Sequence, residues 1–380
     1  MTYHAELEPR RRPWLIATPL ILVLVLAAVW SGVWYYAARE AEARVNDWQA
    51  QQAKAGRAFS CGSQKVGGFP FRIEVRCADA AVELKDTQPP LALRLKEIHV
   101  ISQVWDPKLL IAEFTGPLTA AEPGQVPHVT ATWALAQASV RGTPSAPERA
   151  SISVDDLKLS GTAPGAAPLF DSKHAEFHAR MQYGSWPHNP AIDLAMKLKA
   201  ATAPGLGPYT RDPLDADVLA VLHGMKDLRP KPLPVRLREW QEAGGRLEIQ
   251  NARVAQNETV GKASGTLALT QRGRLDGALR LDVAGLEKLL PAISGAAVER
   301  KGAPLGLDRA APALNAIDRA VPGLGARIAP QAQSLAAGLL GLLGKPVEVE
   351  GKRGVSVPVK FTDGAASLGP IPLGQVPAAF

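Results

Sequence analysis

The sequence predicts a mainly β protein of the α+β class, in which an N-terminal transmembrane helix precedes a long, twisted antiparallel β-sheet. We expect this sheet to form a half-barrel-like meander with a few short helices. Three observations support the prediction. Residues 13–38 contain no Asp, Glu, Lys or Arg. Much of the later chain alternates apolar and polar residues with a period of two, and short turns rich in Gly and Pro separate the alternating runs.

The uncharged stretch is long enough to cross a bilayer, because a helix of about 20 residues spans roughly 30 Å of hydrocarbon. Residues 10–12 are three Arg residues, which favours a cytoplasmic tail over residues 1–12. Aromatic residues typical of membrane interfaces lie at both ends of the stretch: Trp14, Trp30, Trp34, Tyr35 and Tyr36. The alternatives are a cleaved signal peptide, whose apolar region is normally shorter, and a buried helix of a soluble protein.

Composition limits the classes of partner and the cellular compartment that we expect for this protein. The net charge of +7 is spread thinly over 380 residues, without the basic runs that follow nucleic-acid phosphates, so we expect no nucleic-acid partner. Both cysteines, Cys61 and Cys77, follow the anchor on the side predicted to be external. Two cysteines in an oxidising compartment usually pair. A disulfide is therefore the first interpretation, and two buried free thiols or a catalytic cysteine are the alternatives.

The pattern of apolar, polar and turn residues divides the chain into segments. Residues 13–38 are the span, residues 39–56 a helical stalk, and residues 57–380 a β-rich periplasmic domain. This domain forms either one body or two halves, 57–210 and 244–380, joined by a helical segment. The predicted strands are 59–65, 71–76, 91–104, 109–116, 129–140, 151–160, 172–183, 191–201, 246–254, 261–271, 274–283, 347–350 and 355–361. The predicted helices are 212–226, 237–242, 286–293 and short segments within 311–343.

One segment resembles a known family. Residues 61–77 read CGSQKVGGFPFRIEVRC, in which the motif residues Gly67, Gly68, Phe69, Pro70 and Phe71 predict a turn between two strands. This segment and the ending DGAASLGPIPLGQVPAAF at 363–380 resemble the bacterial envelope family called domain of unknown function 2125, over most of the chain. The resemblance implies no known activity. In layout the family is similar to AsmA-like envelope proteins, which are associated with moving or organising lipids between membranes.

The residues that could carry chemistry are few. In a strand, His174, Glu176 and His178 share one face, with Ala175 and Phe177 on the other, so they are a weak candidate for a metal site. The alternative is the ordinary exposed polar face of a sheet. Since no nucleophile, phosphate-loop or dinucleotide motif is present, we expect neither an enzyme nor a cofactor.

These observations predict an inner-membrane protein with a single span and a periplasmic body, which binds or handles lipid or another apolar ligand in the envelope. A sheet whose apolar face is only partly covered holds acyl chains by burial alone. The helices of 311–343 could gate such a groove. The alternative is a scaffold of the envelope without a ligand, whose apolar surfaces contact other envelope proteins.

Overall fold

A computed structural model describes residues 14–85, 87, 89–143, 146–163, 165–166, 168–185, 188–206, 210–228, 231–285, 344–368 and 371–380. This part of the chain contains two α-helices, a short 3-10 turn at Pro204–Leu206 and one antiparallel sheet of 18 strands. The predicted fold class is confirmed. The helices are α1 (Trp14–Lys54) and α2 (Leu233–Glu242). The strands are β1 (Arg57–Ser60), β2 (Ser63–Gly67), β3 (Arg72–Leu84), β4 (Leu91–Gln103), β5 (Asp106–Ala121), β6 (Val129–Thr132), β7 (Leu135–Thr143), β8 (Ala146–Gly161), β9 (Pro168–Ser185), β10 (His188–Ala201), β11 (Leu214–His223), β12 (Arg246–Gln256), β13 (Thr259–Leu269), β14 (Leu275–Ala284), β15 (Lys345–Val349), β16 (Lys352–Thr362), β17 (Ala365–Leu368) and β18 (Ile371–Gln375).

The strands pair in one series along the chain. β3 pairs with β4 and β4 with β5, and β5 pairs with both β6 and β7. The series then continues strand by strand from β8 to β14, and β14 pairs with β16. Two short strands share an edge at each end, β1 and β2 beside β3, and β15 and β17 beside β16. Between the described strands of the two ends, β2 and β18, there is no pairing register, so the sheet is a long meander.

The segment predicted as a helix at 212–226 is a strand, and this prediction was wrong. Leu214, Val218 and Leu222 have helical spacing, but β11 pairs along its length with β10 and β12. Its ladder partners are distant in sequence, so local spacing could not reveal them. The sheet therefore runs without interruption between the two proposed halves. The predicted helix at 237–242 falls within α2, whereas the predicted helices at 286–293 and 311–343 lie outside the described residues.

Helix α1 is continuous from the candidate span into the predicted stalk. It lies along the edge formed by β1, β2 and β3. The ring of Trp48 packs against that of Phe59 at a centroid distance of 4.7 Å. Near the span, the indole N–H of Trp34 donates to the carbonyl oxygen of Arg72 at 2.7 Å. The predicted stalk is therefore a direct continuation of the apolar helix, and it covers the edge of the sheet.

The sheet has a small core because the described residues form a single layer for most of its length. Nearly all of the buried apolar side chains are Ala or Val. One buried cluster, Val260, Ala284 and Val349, lies where β13, β14 and β15 meet. Stability must therefore come largely from ladder hydrogen bonds and cross-strand pairs.

The predicted disulfide between Cys61 and Cys77 is present. Cys61 lies between β1 and β2 rather than within a strand, and Cys77 lies in β3, which pairs with both. The disulfide therefore links the segment between β1 and β2, where the edge of the sheet is interrupted, to the first long strand, β3.

We expect the double substitution C61A/C77A to lower the free energy of unfolding by about 3 kcal/mol, since it releases a closed loop in the unfolded chain. Urea unfolding followed by circular dichroism measures the loss. Treating the wild type with a reductant should give a similar loss. Equal stability of the oxidised wild type and the double variant would contradict the assignment of a stabilising role.

Gly265 in β13 permits close contact with β14. Its φ is +146°, and a Cβ added there would lie 2.1 Å from the carbonyl oxygen of Ala278. Gly67 in β2 has a conventional φ, and nothing lies within 4 Å of an added Cβ. We expect G265A to destabilise the protein by roughly 1–3 kcal/mol through backbone strain, and G67A to change little. Thermal unfolding of both variants tests this, and equal melting temperatures would disprove it.

Candidate functional site

The candidate site is one face of the sheet, on which apolar side chains of neighbouring strands lie next to one another. Register partners define a row with one residue from each of thirteen strands, β2 to β5, β7 to β14 and β16. Every member is apolar. We call it the central row: Val66, Val75, Val100, Ala112, Ala138, Ile152, Phe177, Met196, Val218, Ala252, Ala263, Leu281 and Val357.

Residues two positions away on each strand, or three at the register shift of β12, point to the same face and form further rows. One flanking row is apolar throughout its printed registers: Ala136, Val154, Ala175, Leu198, Ala216, Val254, Gly261, Val283 and Val355. The other is apolar except for Ser102: Ile73, Ser102, Leu110, Val140, Ala150, Ala179, Leu194, Ala220, Ile249, Gly265, Leu279, Val359 and Leu368. We call these three rows together the apolar face.

The apolar face is long and partly uncovered. At the usual strand spacing of about 4.8 Å, thirteen strands extend over about 60 Å. Large side chains in its middle are exposed, among them Ile152, Phe177 and Met196, and Phe177 keeps 43% of its surface. Among the described elements, the substantial contacts join strands that are close neighbours in the sheet, α1 to its edge, or the 3-10 turn to β9. No described element therefore forms a second layer over the middle of this face.

The opposite face has the reverse chemistry. On one side of the central row, the next residues along each strand form a row in which every member is polar: Lys65, Arg76, His99, Glu113, Gln137, Ser153, Glu176, Lys197, Asp217, Arg253, Lys262, Asp282 and Ser356. Because side chains alternate along a strand, this row lies on the opposite surface of the sheet, which is mainly polar but also carries apolar residues such as Ile101, Ile111 and Leu219. We call the second surface the polar face.

Ion pairs connect strands on the polar face. The guanidinium of Arg253 in β12 donates two hydrogen bonds to the carboxylate of Glu350, at 2.7 and 2.8 Å. Lys262 of β13 lies 3.1 Å from the same carboxylate. These two cations lower the pKa of Glu350 to about 2. The turn between β15 and β16 is thereby fastened to β12 and β13.

The predicted histidine cluster also lies on the polar face, as the alternation in β9 indicated. Each ring nitrogen of His174 faces a carboxylate, Nδ1 that of Asp155 and Nε2 that of Glu176, the latter at 2.6 Å. His178 hydrogen-bonds to Ser151 at 2.9 Å and to Glu176. These partners lie on β8 and β9, so the cluster links two strands.

This arrangement does not favour the metal interpretation of His174, Glu176 and His178. Within the described ranges no group of three or more His, Cys, Asp or Glu side chains is placed to hold a metal ion. Asp155 and Glu176 instead raise the pKa of His174 through their hydrogen bonds, and the bond from His174 lowers the pKa of Glu176. The cluster therefore stabilises a charged imidazole ring.

The family motif lies in the turn between β2 and β3, beside helix α1. The indole N–H of Trp30 donates to the carbonyl oxygen of Pro70 at 2.9 Å, and Trp34 packs edge-on against Phe69. The second glycine of the motif, Gly68, has φ +99°, and an added Cβ would lie 2.7 Å from the carbonyl oxygen of Arg72. The motif residues therefore shape a turn that contacts the candidate span.

Sequence reasoning placed Phe177 on the side of β9 opposite the histidines but expected that side to be buried. It expected a sheet with a partly covered apolar face but could not say which residues line that face, because they are brought together only by registers between strands. The signal was present in part, as apolar and polar residues alternate in β8 and β9. The order and register of thirteen strands could not be obtained from that alternation.

A comparison with known protein families gives a match over most of the chain. The family described as an uncharacterized protein conserved in bacteria, DUF2125, matches residues 34–377. No curated protein matches the sequence. The looser likeness to AsmA-like proteins stays a prediction.

The pKa of His174 gives a test of the cluster. A raised pKa means that the charged ring stabilises the folded state below the ordinary value of about 6.5, and that this stabilisation disappears as the pH rises through the raised value. We expect H174Q to be less stable than the wild type at acidic to neutral pH and the difference to shrink at alkaline pH. Thermal unfolding across this range measures it, and a difference independent of pH would contradict the ion pairs.

Proposed function

This chain belongs to the bacterial family DUF2125, and we propose that it is a membrane-anchored protein of the cell envelope that binds the acyl chains of lipids along its apolar face. The observation that carries the proposal is the uninterrupted central row, which offers apolar contact across thirteen strands. The proposed role is non-enzymatic, because it requires only burial of an apolar ligand.

The apolar helix and the disulfide support the proposed location. Residues Ala17–Lys54 include a stretch long and apolar enough to cross a membrane. The disulfide favours an oxidising compartment, since such bonds rarely persist in the cytoplasm. We therefore propose a single span in the inner membrane, with the sheet on the periplasmic side.

The chemistry of the apolar face fits an extended hydrocarbon. Its side chains include almost no hydrogen-bonding groups, so a ligand without polar atoms loses nothing by contact with them. Burying about ten methylene groups would contribute about 8 kcal/mol before the costs of binding. With a length of about 60 Å, the face exceeds one extended acyl chain, so several chains fit along it.

The proposal is tested by photocrosslinking of the full-length protein in membranes. p-Benzoylphenylalanine replaces Phe177 in the middle of the apolar face. The matched control replaces Leu219, which is similarly exposed (48% against 43%) but lies on the polar face two strands away. We expect lipid adducts at Phe177 and few at Leu219, measured by mass spectrometry.

Two outcomes would overturn lipid binding. Equal lipid labelling at both positions would show no preference for the apolar face. Protein adducts at Phe177 in place of lipid would instead support the alternative, a scaffold that contacts other envelope proteins.

A second experiment introduces a charged side chain into the apolar face instead of a photocrosslinking group. We expect F177D to reduce the lipid that remains bound to the purified protein, because a carboxylate on the apolar face must be desolvated by the ligand. L219D is the control for the polar face. Lipid associated with α1 is common to both variants, so the difference between them reports on the sheet. Equal lipid content in correctly folded F177D and L219D would contradict the proposal.

A further inference from the structure

Exposed aromatic residues cluster at the end of the sheet that contacts α1. Phe69 and Phe71 lie in the turn between β2 and β3, and Trp105 lies in the turn between β4 and β5 at the same end of the strands. The rings of Phe71 and Trp105 are 6.2 Å apart, with exposures of 57% and 65% for the two residues. We call Phe69, Pro70, Phe71 and Trp105 the aromatic tip. Large exposed aromatic groups in one place usually mark a binding surface.

The contacts with α1 fix the depth of the aromatic tip. The indole N–H groups of Trp30 and Trp34 donate hydrogen bonds to the carbonyl oxygens of Pro70 and Arg72, respectively. The ring of Phe69 packs against that of Trp34. Both tryptophans belong to the uncharged stretch, whose first following charge is Arg39. At a rise of 1.5 Å per residue, Trp34 lies about 7 Å and Trp30 about 13 Å before Arg39 along the helix. The tip is therefore level with the last turns of the candidate span, not with the charged stalk.

These positions correspond to the membrane interface. The uncharged stretch is about 40 Å long as a helix, whereas the hydrocarbon core is about 30 Å thick. Centring one on the other places Trp34 and its neighbours close to the hydrocarbon boundary, where aromatic side chains are favoured. Phe69 must lie at the same depth, because it contacts Trp34.

We propose that the aromatic tip inserts into the external leaflet of the bilayer that α1 spans, so that the sheet binds the membrane at a second point beside its anchor. Arg39 is the first charged residue after the uncharged stretch, and a cation at that position is suited to anionic head groups. The inference rests on the proposed span of α1, but it does not require lipid on the apolar face.

The tip is also continuous with the apolar face. Phe71 directly precedes β3, in which Ile73 and Val75 belong to the apolar face. Phe71 and Val104 are linked by a backbone hydrogen bond of 3.1 Å, so the turn before β3 adjoins that before β5. An inserted tip would therefore bring the first strands of the apolar face to the surface of the leaflet.

The test uses the full-length protein in vesicles of phosphatidylethanolamine with a minor fraction of phosphatidylglycerol. p-Benzoylphenylalanine replaces Phe71 at the tip or, as the control, Val126. Val126 is 82% exposed and lies in the loop after β5, at the end of that strand opposite to Trp105. The two ends of β5 are about 50 Å apart. We expect several-fold more lipid adduct at Phe71 than at Val126, and equal yields would overturn the proposal.

Depth is tested independently by the tryptophan residues. In vesicles whose lipids carry brominated chains, inserted tryptophans lose fluorescence. We expect W105F to remove a quenched component of the emission, whereas W133F should remove an unquenched one. Trp133 lies in the body of the sheet, where its N–H donates to the carbonyl oxygen of Phe114 at 2.8 Å. An unquenched Trp105 would overturn insertion.

These results separate the tip from lipid binding by the sheet. Lipid adducts at Phe71 without adducts at Phe177 would support the inserted tip and contradict the proposed function. Adducts at Phe177 without adducts at Phe71 would do the reverse.

Discussion

Strand register is the constraint on which this structure depends. The apolar and polar faces exist because thirteen strands keep the same pairing of apolar with apolar and polar with polar residues. A slip of one residue in a strand such as β9 would place Glu176 among Ile152 and Met196, and would expose Phe177 among charges. The energetic cost of that exchange holds the register, because the described part of the chain has little conventional core. Ion pairs such as Arg253 with Glu350 then fasten distant strands on the polar face.

The predictable part of this protein is local. The long apolar N-terminal helix, the disulfide, the turn at Gly68 and the alternation of β9 each depend on residues close in sequence, and each could be inferred from the sequence. Strand β11 could not, because its apolar residues suit a helix equally well and only pairing with β10 and β12 decides between the two. Likewise, Phe177 could be assigned to a side of its strand but not to a surface, since its row partners Ile152 and Met196 are set by tertiary pairing.

A single-layer sheet of this length has to protect its edges from other chains. Helix α1 covers the edge at β1 to β3, and the short strands β1 and β2 interrupt the same edge at Cys61. The disulfide keeps that interruption closed. The residues that attach the sheet to α1 therefore also limit the unpaired backbone at its first edge.

The continuity of α1 has a mechanical consequence. One helix of 41 residues contacts the sheet both near Trp30 and near Trp48, with no break between them. Contact at two points along one continuous helix prevents the rotation that a flexible linker between the helix and the sheet would allow. In the proposed membrane orientation of α1, the angle between the apolar face and the plane of the bilayer is therefore fixed when the protein folds. A molecule that moved between such a membrane and the sheet would have to reach an apolar face of fixed orientation, because the sheet could not rotate toward it.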